Sequence, residues 1–589
     1  MYHHFVPLHT RAVTLFAVMF FSVSASAAEF SIGAAEVVYT KSQRSSGGGS
    51  AWPDGSFGVV ANGNGTYDFY GPNSSKSVLT TGTLLDPGAT KQSVSITGVP
   101  KKTFSYLAGG PVYEDPYSGA RLMLYHAEDG GKGKSFYSML GMAISTDPGH
   151  REFRDLGVII KPTLASGNAE VGGGSFAIIN GYLNVYFTDW RADGNINFVS
   201  AARAPMAELM NNAIVGRPTA FNKYYNGAWS EPGLGGKSSY LENGNPGNSW
   251  LGVSYNEYLN QLVMVSSQWS GDGGDLYLTT SSDGVNWAPR TPLAVDLGEQ
   301  FYPSIIGANG SITGQKFYAY YTDSQNGGWG RWGDAQLRRR EINITSPPGA
   351  PGSGNSLGYT ADWVSISNFQ SDFRTVAPAA GWKYAWDSKG KVGKSSAYVP
   401  LLWSESAQAY NTTGGATTIP NPKSHSDDFL SLAAGTGHPG QSKYLPMAGY
   451  TIQQDDGAGY YRLTDTSIQL ASNTPAAKDD GLSVLVYVND TLIGSPQSVP
   501  FGSGLVNFDR MLGALNIGDT VWVMIDPLKN NNNNAFLNFN FSLEKLVYSS
   551  QGALFAAGLQ LGAAVPEPST AALLLLALAA YHPRRRCAA

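Results

Sequence analysis

One pattern, repeated five times before residue 345, limits what this chain can become. A short strand led by small residues meets a turn, and a second strand rich in Tyr, Leu and Val follows. The copies are SFGVVANGNGTYDFYGPN from Ser56, GGPVYEDPYSGARLMLYHAE from Gly109 and GGSFAIINGYLNVYFTDW from Gly173. LGVSYNEYLNQLVMVSSQW from Leu251 and YPSIIGANGSITGQKFYAYYTDS from Tyr302 complete the set. Their starts lie roughly 50 to 80 residues apart, the length of one four-stranded propeller blade with variable loops. Segments such as LGMAISTDPGHREFRDLGVII and DLYLTTSSDGVNWAPRTPL fill the gaps as outer strands. The five copies predict an all-β chain with a five-bladed β-propeller over residues 29–344. Two stacked sheets are the competing arrangement, but they seldom repeat a motif at blade-length intervals.

Composition agrees with short strands and tight turns: 71 of 589 residues are Gly, and only 14% are charged, against about a quarter in an average protein. A formal net charge of -5 gives no electrostatic case for nucleic acid or an anionic membrane surface as partner. The run TSPPGAPGSGNSLG, residues 345–358, is free of charge and rich in Pro, Gly and Ser, and reads as a linker. Beyond it, GYYRLTDTSIQLA, DGLSVLVYVNDTLIG and GDTVWVMIDPLKNNNNNAFLNFNFSLEKL alternate apolar and polar residues like half-buried antiparallel strands. Residues 359–548 are therefore expected to form a jelly-roll-like β-sandwich, an accessory domain beside the propeller. Its Trp382, Tyr384, Trp386, Trp403 and His438 either form a binding edge or pack the sandwich.

The two ends read as targeting signals. Residues 1–28 place Arg11 before an apolar run, Ala12 to Val23, and small residues around Ala25-Ser26-Ala27. This is the order of a secretory signal peptide, and the run is short for a membrane span. After a spacer, 549–563, residues 564–589 hold Val565-Pro566-Glu567-Pro568, an apolar run from Ala571 to Ala580 and Arg584-Arg585-Arg586. This tail resembles the PEP-CTERM sorting signal of Gram-negative bacteria; a plain C-terminal anchor is the alternative. The resemblance implies an exosortase as processing partner and delivery to the cell envelope or exterior. The membrane would be touched only through the tail before its removal. Cys587, the single cysteine, lies in that tail, so the body offers no disulfide, cysteine nucleophile or cysteine metal site.

In a propeller, residues before each first strand and those ending each second strand share the mouth of the central funnel. That rule gathers Asp54 and Glu170 with His126, Glu128, Asp189, Trp190, Trp269 and Asp323, and Tyr302 opens the fifth copy. Carboxylates among aromatics suit carbohydrate, whose C–H faces stack on rings and whose hydroxyls bond to carboxylates. Glycoside cleavage needs one carboxyl group to protonate the leaving oxygen and another to activate water or attack carbon. Each residue taken alone also has a plain reading as a turn cap or a solvated strand end. Residues 29–342, through the repeated strand pairs, resemble the five-bladed glycosidases related to glycoside hydrolase family 43. That family carries an Asp base in the first blade, a tuning Asp in the second and a Glu acid in the third. The resemblance implies Asp54 as base and Glu170 as acid, by inversion. The second-blade position reads Gly109-Gly110, without a carboxylate, and Gly173-Gly174 stand nearest the expected Glu. Glu128 or Asp189 would substitute as the tuning group.

Arg203 and Lys223 would grip a carboxylated sugar such as a uronic acid, or else lie solvated on outer strands. No HExxH or EF-hand spacing is present. No cofactor is called for, although a structural Ca²⁺ on Asp and backbone carbonyls is compatible with the sequence. The leading expectation is an exported glycoside hydrolase acting on a polysaccharide or oligosaccharide. Its rival is a non-catalytic carbohydrate-binding propeller of the envelope or exopolysaccharide matrix. A lyase using Tyr and His is the least favoured, since only His126 is well placed for it.

Overall fold

The computed structural model describes residues 28–40, 42–43 and 53–550, apart from 89, 101–102, 130–135, 165–167, 192–195, 242–247, 270–273, 296–298, 325–334, 350–357, 415–429, 441–443, 473–479 and 530–533. The expected secretory signal and sorting tail lie outside them. The described chain is almost wholly β. Three sheets hold residues up to Ile344, and two more hold the remainder.

The three N-terminal sheets divide into five antiparallel modules in chain order. The first is Gly58–Ala61, Tyr67–Pro72, Ser77–Gly82 and Gln92–Thr97; the second is Tyr106–Glu114, Arg121–Glu128, Ser138–Ser145 and Glu152–Ile160. The third runs Ala169–Ile179, Tyr182–Arg191, Ile196–Pro205, Asn222–Tyr225 and Ala228–Pro232. The fourth is Asn248–Asn256, Gln261–Trp269, Gly274–Ser281 and Thr291–Ala294; the fifth begins with Gln300–Ile306, Lys316–Asp323 and Gln336–Ile344. The fifth takes its outer strands from the start of the chain: Phe30–Ile32 and Glu36–Tyr39 both pair with Gln336–Ile344.

Successive side chains point to opposite faces, and strands such as Arg121–Glu128 and Ser138–Ser145 are buried on both, so their module has two faces to cover. The cores between them close a ring. Val60, Tyr70 and Leu79 of the first module pack with Met123 and Tyr125 of the second. Leu124 and Met142 of the second pack with Val185 and Phe187 of the third. Tyr186 and Val199 of the third meet Val253 and Met264 of the fourth, whose Val265 and Leu278 meet Phe317 and Tyr321 of the fifth. Phe57 and Phe69 then join Tyr318 and Tyr320, returning the fifth module to the first. Each fully buried side chain of this size contributes about 1.5–3 kcal/mol by leaving water.

The hairpin at Asn180-Gly181 turns with φ of 52° and 76°, the left-handed pair that a two-residue type I′ turn requires. A helix, α1 (Met206–Ile214), follows the third strand of that module. Its Met206, Leu209, Met210 and Ala213 recur at helical spacing and are buried.

The C-terminal unit has two antiparallel sheets. One contains Tyr359–Asn368, Gly459–Leu470 and the 15-residue strand Phe536–Ser550; the other contains Trp382–Asp387, Pro446–Thr451, Leu482–Val488 and Thr520–Asp526. One core joins them, with Tyr461, Leu463, Phe539 and Leu543 from the first sheet and Val484, Val486, Val521 and Val523 from the second. Trp382 and Tyr384 are buried in this core, and Trp386 and Trp403 pack against it half-buried. These aromatics therefore hold the unit together instead of forming a binding edge. His438 turns its Nδ1 to the Pro439 carbonyl at 2.6 Å.

The units are locked together. Asn211 of α1 donates to the Tyr548 carbonyl at 3.0 Å and accepts from its amide at 3.2 Å. Asp115 is fully buried at the junction and accepts from the hydroxyls of Tyr359 at 2.8 Å and Tyr548 at 2.7 Å.

Candidate active site

The first strands of the second to fifth modules share an irregularity. Register shifts fall between Gly109 and Val112, Gly172 and Ser175, Ser249 and Leu251, and Phe301 and Ser304. Each is a bulge, which bends the strand and re-aims its side chains. Three of them place a residue in left-handed backbone: Gly173 at φ 56°, Trp250 at 36° and Tyr302 at 52°. For Trp and Tyr this conformation is strained, and such strain gathers at sites where side-chain direction matters. Close approach of the strands explains the glycines nearby. A Cβ on Gly110 would meet the Ser56 carbonyl oxygen at 2.0 Å, and one on Gly58 would meet the Val112 nitrogen at 2.2 Å.

Hydrogen bonds from one first strand to another fix this centre. The Phe57 amide donates to Ser304 Oγ at 2.9 Å, and the Val253 amide to Ser175 Oγ at 3.1 Å. Ser56 Oγ lies 3.0 Å from the carbonyl oxygens of both Leu251 and Pro303.

The bulges surround a cavity of about 270 Å³ lined by Asp54, Tyr106, His126, Glu128, Phe136, Glu170, Trp250 and Tyr302, among others. Tyr106 donates to Asp54 Oδ2 at 3.3 Å and meets His126 edge-on at 5.7 Å between ring centres. His126 Nε2 and Glu128 Oε1 are 3.2 Å apart. The Trp250 and Tyr302 rings lie 5.1 Å apart, tilted, and form an aromatic wall. Burial, with Asp54 beside it, drives the Tyr106 phenol far above the usual tyrosine range. The Tyr302 phenol is raised for the same reason, with Asp54, Tyr106, Glu170 and Glu128 adding to the effect. Both phenols thus stay protonated donors.

Glu170 keeps some surface toward the cavity, but protein atoms crowd its carboxyl, and that burial raises its titration. The interaction with His126 works against that rise, and the Glu128 charge adds to it. No described residue donates a hydrogen bond to this carboxyl. A carboxyl group whose titration is raised by a cleft is better suited to donate a proton than an ordinary surface carboxylate.

Of the residues selected from the sequence, Asp54, His126, Glu128, Glu170 and Tyr302 line this one cavity. The others are placed elsewhere. Asp189 is buried and accepts from Ser238 Oγ at 2.8 Å, and Trp190 sits opposite Glu170 across the strand pair, off the cavity wall. Asp323 is buried against Arg338 Nε at 2.8 Å. Arg203 lies sandwiched over the rings of Tyr182 at 4.0 Å and Trp229 at 4.4 Å. Lys223 is fully buried and donates to the carbonyls of Lys161 at 2.6 Å and Gly236 at 2.8 Å. Lys223 is thus enclosed and spent on backbone carbonyls, whereas Arg203 is half-buried between its two rings and lies off the cavity wall. Trp269 ends its strand, and its side chain lies outside the described part.

Tyr106, Phe136 and Trp250 were not singled out from the sequence. A signal for Trp250 exists: aligning the repeats puts it and Tyr302 where the second and third copies carry glycines, at the bulge. Among the described residues, no group of three or more His, Cys, Asp and Glu side chains is arranged to hold a metal ion.

No protein-family model and no curated protein sequence matches this chain. Among solved structures, it is similar to an exo-β-1,3-galactanase from Phanerochaete chrysosporium at 12% identity and TM-score 0.33, over 86% of this chain and 99% of that one. It is similar to a family 117 glycoside hydrolase from Zobellia galactanivorans at 11% identity and TM-score 0.36, over 54% and 90%. It is also similar to the arabinanase Arb43A from Bacillus subtilis at 12% identity and TM-score 0.32, over 49% and 96%. With scores of this size, the functional reading rests on the site itself.

Proposed function

We propose that residues 29–344 form a five-bladed β-propeller that hydrolyses glycosidic bonds in a polysaccharide or oligosaccharide, with residues 359–548 as its β-sandwich accessory domain. The observation that carries this reading is the cavity that Glu170, its carboxyl crowded and its titration raised by burial, shares with Asp54 and an aromatic wall. Glu170 donates its proton to the leaving glycosidic oxygen. Asp54, oriented by the Tyr106 hydroxyl, accepts a proton from the water that attacks the anomeric carbon from the opposite face, giving inversion. Trp250 and Tyr302 stack on the sugar. Secretion by the N-terminal signal and processing of the sorting tail by an exosortase deliver the enzyme to the envelope or exterior of a Gram-negative cell.

Glycan binding without turnover is the second reading. It is favoured by Gly109-Gly110 at the position where a tuning carboxylate is expected. The test is a panel of polysaccharides and aryl glycosides with the wild-type chain, Asp54→Asn and Glu170→Gln, the anomer of each new product being followed by NMR. Turnover with inversion, lost in both variants while binding persists, is the expected result. Retention of configuration would replace Asp54's role, and binding without turnover would establish the second reading.

A further inference from the structure

The aromatic side chains of the cavity do not lie at one depth. Trp250, on the bulge of the fourth module, is 9% exposed and packs so close to Gly173 that a Cβ there would meet its ring at 2.7 Å. Tyr302 is tilted against it at 5.1 Å. Phe136 lines the same cavity but is 37% exposed, the most open aromatic ring of the lining. Register puts it at the rim. Glu128 pairs with Ser138 at the end of the second module's sheet, and the Asp129 amide donates to the Tyr137 carbonyl at 2.8 Å. Phe136 comes next, beyond that sheet.

The backbone under this open ring is held on both sides by the third module. The Phe136 amide donates to Asn168 Oδ1 at 2.8 Å, and the Phe136 carbonyl accepts from the Ala169 amide at 3.0 Å. Tyr137 bridges Ala169, which is fully buried, and Glu170 follows it directly. Ring and acid thus project from two backbone segments that are bonded to each other. A ring fixed in this way loses little freedom when a ligand covers it. The acid must reach the oxygen that joins two sugars, so that oxygen lies level with Glu170. The sugar on its deep side rests on Trp250 and Tyr302, and the sugar on its outer side meets the rim.

We propose that Phe136, held by Asn168, is the platform for the sugar on the leaving-group side of the bond, a role that rests on Glu170 being the acid. Its ring offers an apolar face and no polar atom, so it favours a leaving group with a C–H face without reading the direction of its hydroxyls. Choice among sugars is left to the carboxylates of the deep side.

The test compares two leaving groups on one sugar. Disaccharides of glucose, galactose, xylose and arabinose, and the glycosyl fluorides of the same sugars, are given to the full chain and its variants. A fluoride carries no second ring. The ratio of kcat/KM for the disaccharide to kcat/KM for the fluoride is expected to fall about tenfold in Phe136→Ala and to return in Phe136→Tyr. Phe136→Leu repeats the comparison if Phe136→Ala does not fold. Trp250→Ala should lower both rates and keep the ratio. Asn168→Ala should lower the ratio by less than Phe136→Ala does, and Asn168→Asp, which keeps an acceptor for the Phe136 amide, should restore it. Loss of packing alone would move both substrates together. An unchanged ratio in Phe136→Ala overturns the proposal. If nothing is cleaved, calorimetric binding of each disaccharide against its monosaccharide replaces the ratio. A preference for the disaccharide that Phe136→Ala abolishes then keeps the platform and removes the glycosidase reading. Absence of that preference, or of any binding, overturns the platform as well.

Discussion

Asp115 and Glu170 are two carboxylates taken out of water for opposite ends. Asp115 sits where the two units meet, and its oxygens accept from Tyr359, Tyr548 and both the amide and hydroxyl of Ser118, the last two at 2.7 Å. Tyr113 adds its own hydroxyl behind Tyr359 at 2.6 Å. Glu170 has an imidazole edge, a neighbouring negative charge and no described donor. A buried carboxylate with its donors in place is a structural anchor; one without them is shifted toward its protonated form. The contrast separates lock from reactive group more clearly than burial does, because both carboxyls are enclosed.

The largest effect that sharpens this contrast is on activity. Glu170→Gln is expected to lower kcat on substrates with poor leaving groups by about 10²- to 10⁴-fold, without lowering stability. Its sign in stability follows from the raised titration. A Glu raised on folding stabilises fully below its unfolded-state pKa, and that contribution is lost as pH rises through the folded-state value. The variant should therefore melt level with wild type in acid and above it in mildly alkaline buffer. A lower Tm throughout that range would make Glu170 a structural residue like Asp115.

Asp115→Ala gives the mirror result. It strips the acceptor from two buried phenols and Ser118, at about 1–3 kcal/mol for each donor left unpaired. The loss should be on the order of 3–5 kcal/mol of unfolding free energy, measured by denaturant titration. Folded protein recovered below the transition should turn over substrate at the wild-type rate. A fall in kcat without loss of stability would break the comparison.

Lys223→Met tests a cation that sequence pattern offered to the substrate and the fold spends on itself. The Lys161 carbonyl loses its side-chain donor while that of Gly236 keeps Thr163 Oγ1 at 2.9 Å, so the cost is about 1–3 kcal/mol, with KM for acidic and neutral sugars unchanged. A selective rise in KM for a uronic-acid substrate would return Lys223 to the site.

Much of the architecture was legible because it repeats. Strand pairs at blade-length spacing carry their own alternation, and the Asn-Gly turn between them needs only local backbone preference. Asp54, His126, Glu128 and Glu170 emerged because strand ends in such repeats fall at one level. Asp115 stayed hidden inside a quoted motif, since its partners Tyr359 and Tyr548 lie 244 and 433 residues away. The fates of Arg203 and Lys223 were equally out of reach. Stacking between Tyr182 and Trp229, or capping two carbonyls, depends on which strand neighbours which, and charge in a sequence looks solvated until that is known. Gly172 drew no notice in the sequence, although a Cβ there would lie 2.4 Å from Glu170 Oε1.

The smallest effect probes how far the lock is redundant. Tyr359→Phe removes one donor to Asp115 and the acceptor of the Tyr113 hydroxyl, yet leaves Tyr548 and Ser118 on the carboxylate. Asp115 therefore keeps its charge satisfied on Oδ2, and the loss should stay near 1 kcal/mol, visible as a drop of a few degrees or less in Tm. Double-variant analysis with Tyr548→Phe then asks whether the two phenols act independently. If they do, the losses add; if the carboxylate needs at least one of them, the second removal costs more than the first. The larger second step is expected, because Ser118 reaches only Oδ2 and the last phenol is what keeps the junction closed over a buried charge. A purely additive pair would mean that water enters at the first removal, and the lock would then resemble the cavity more than its present geometry allows.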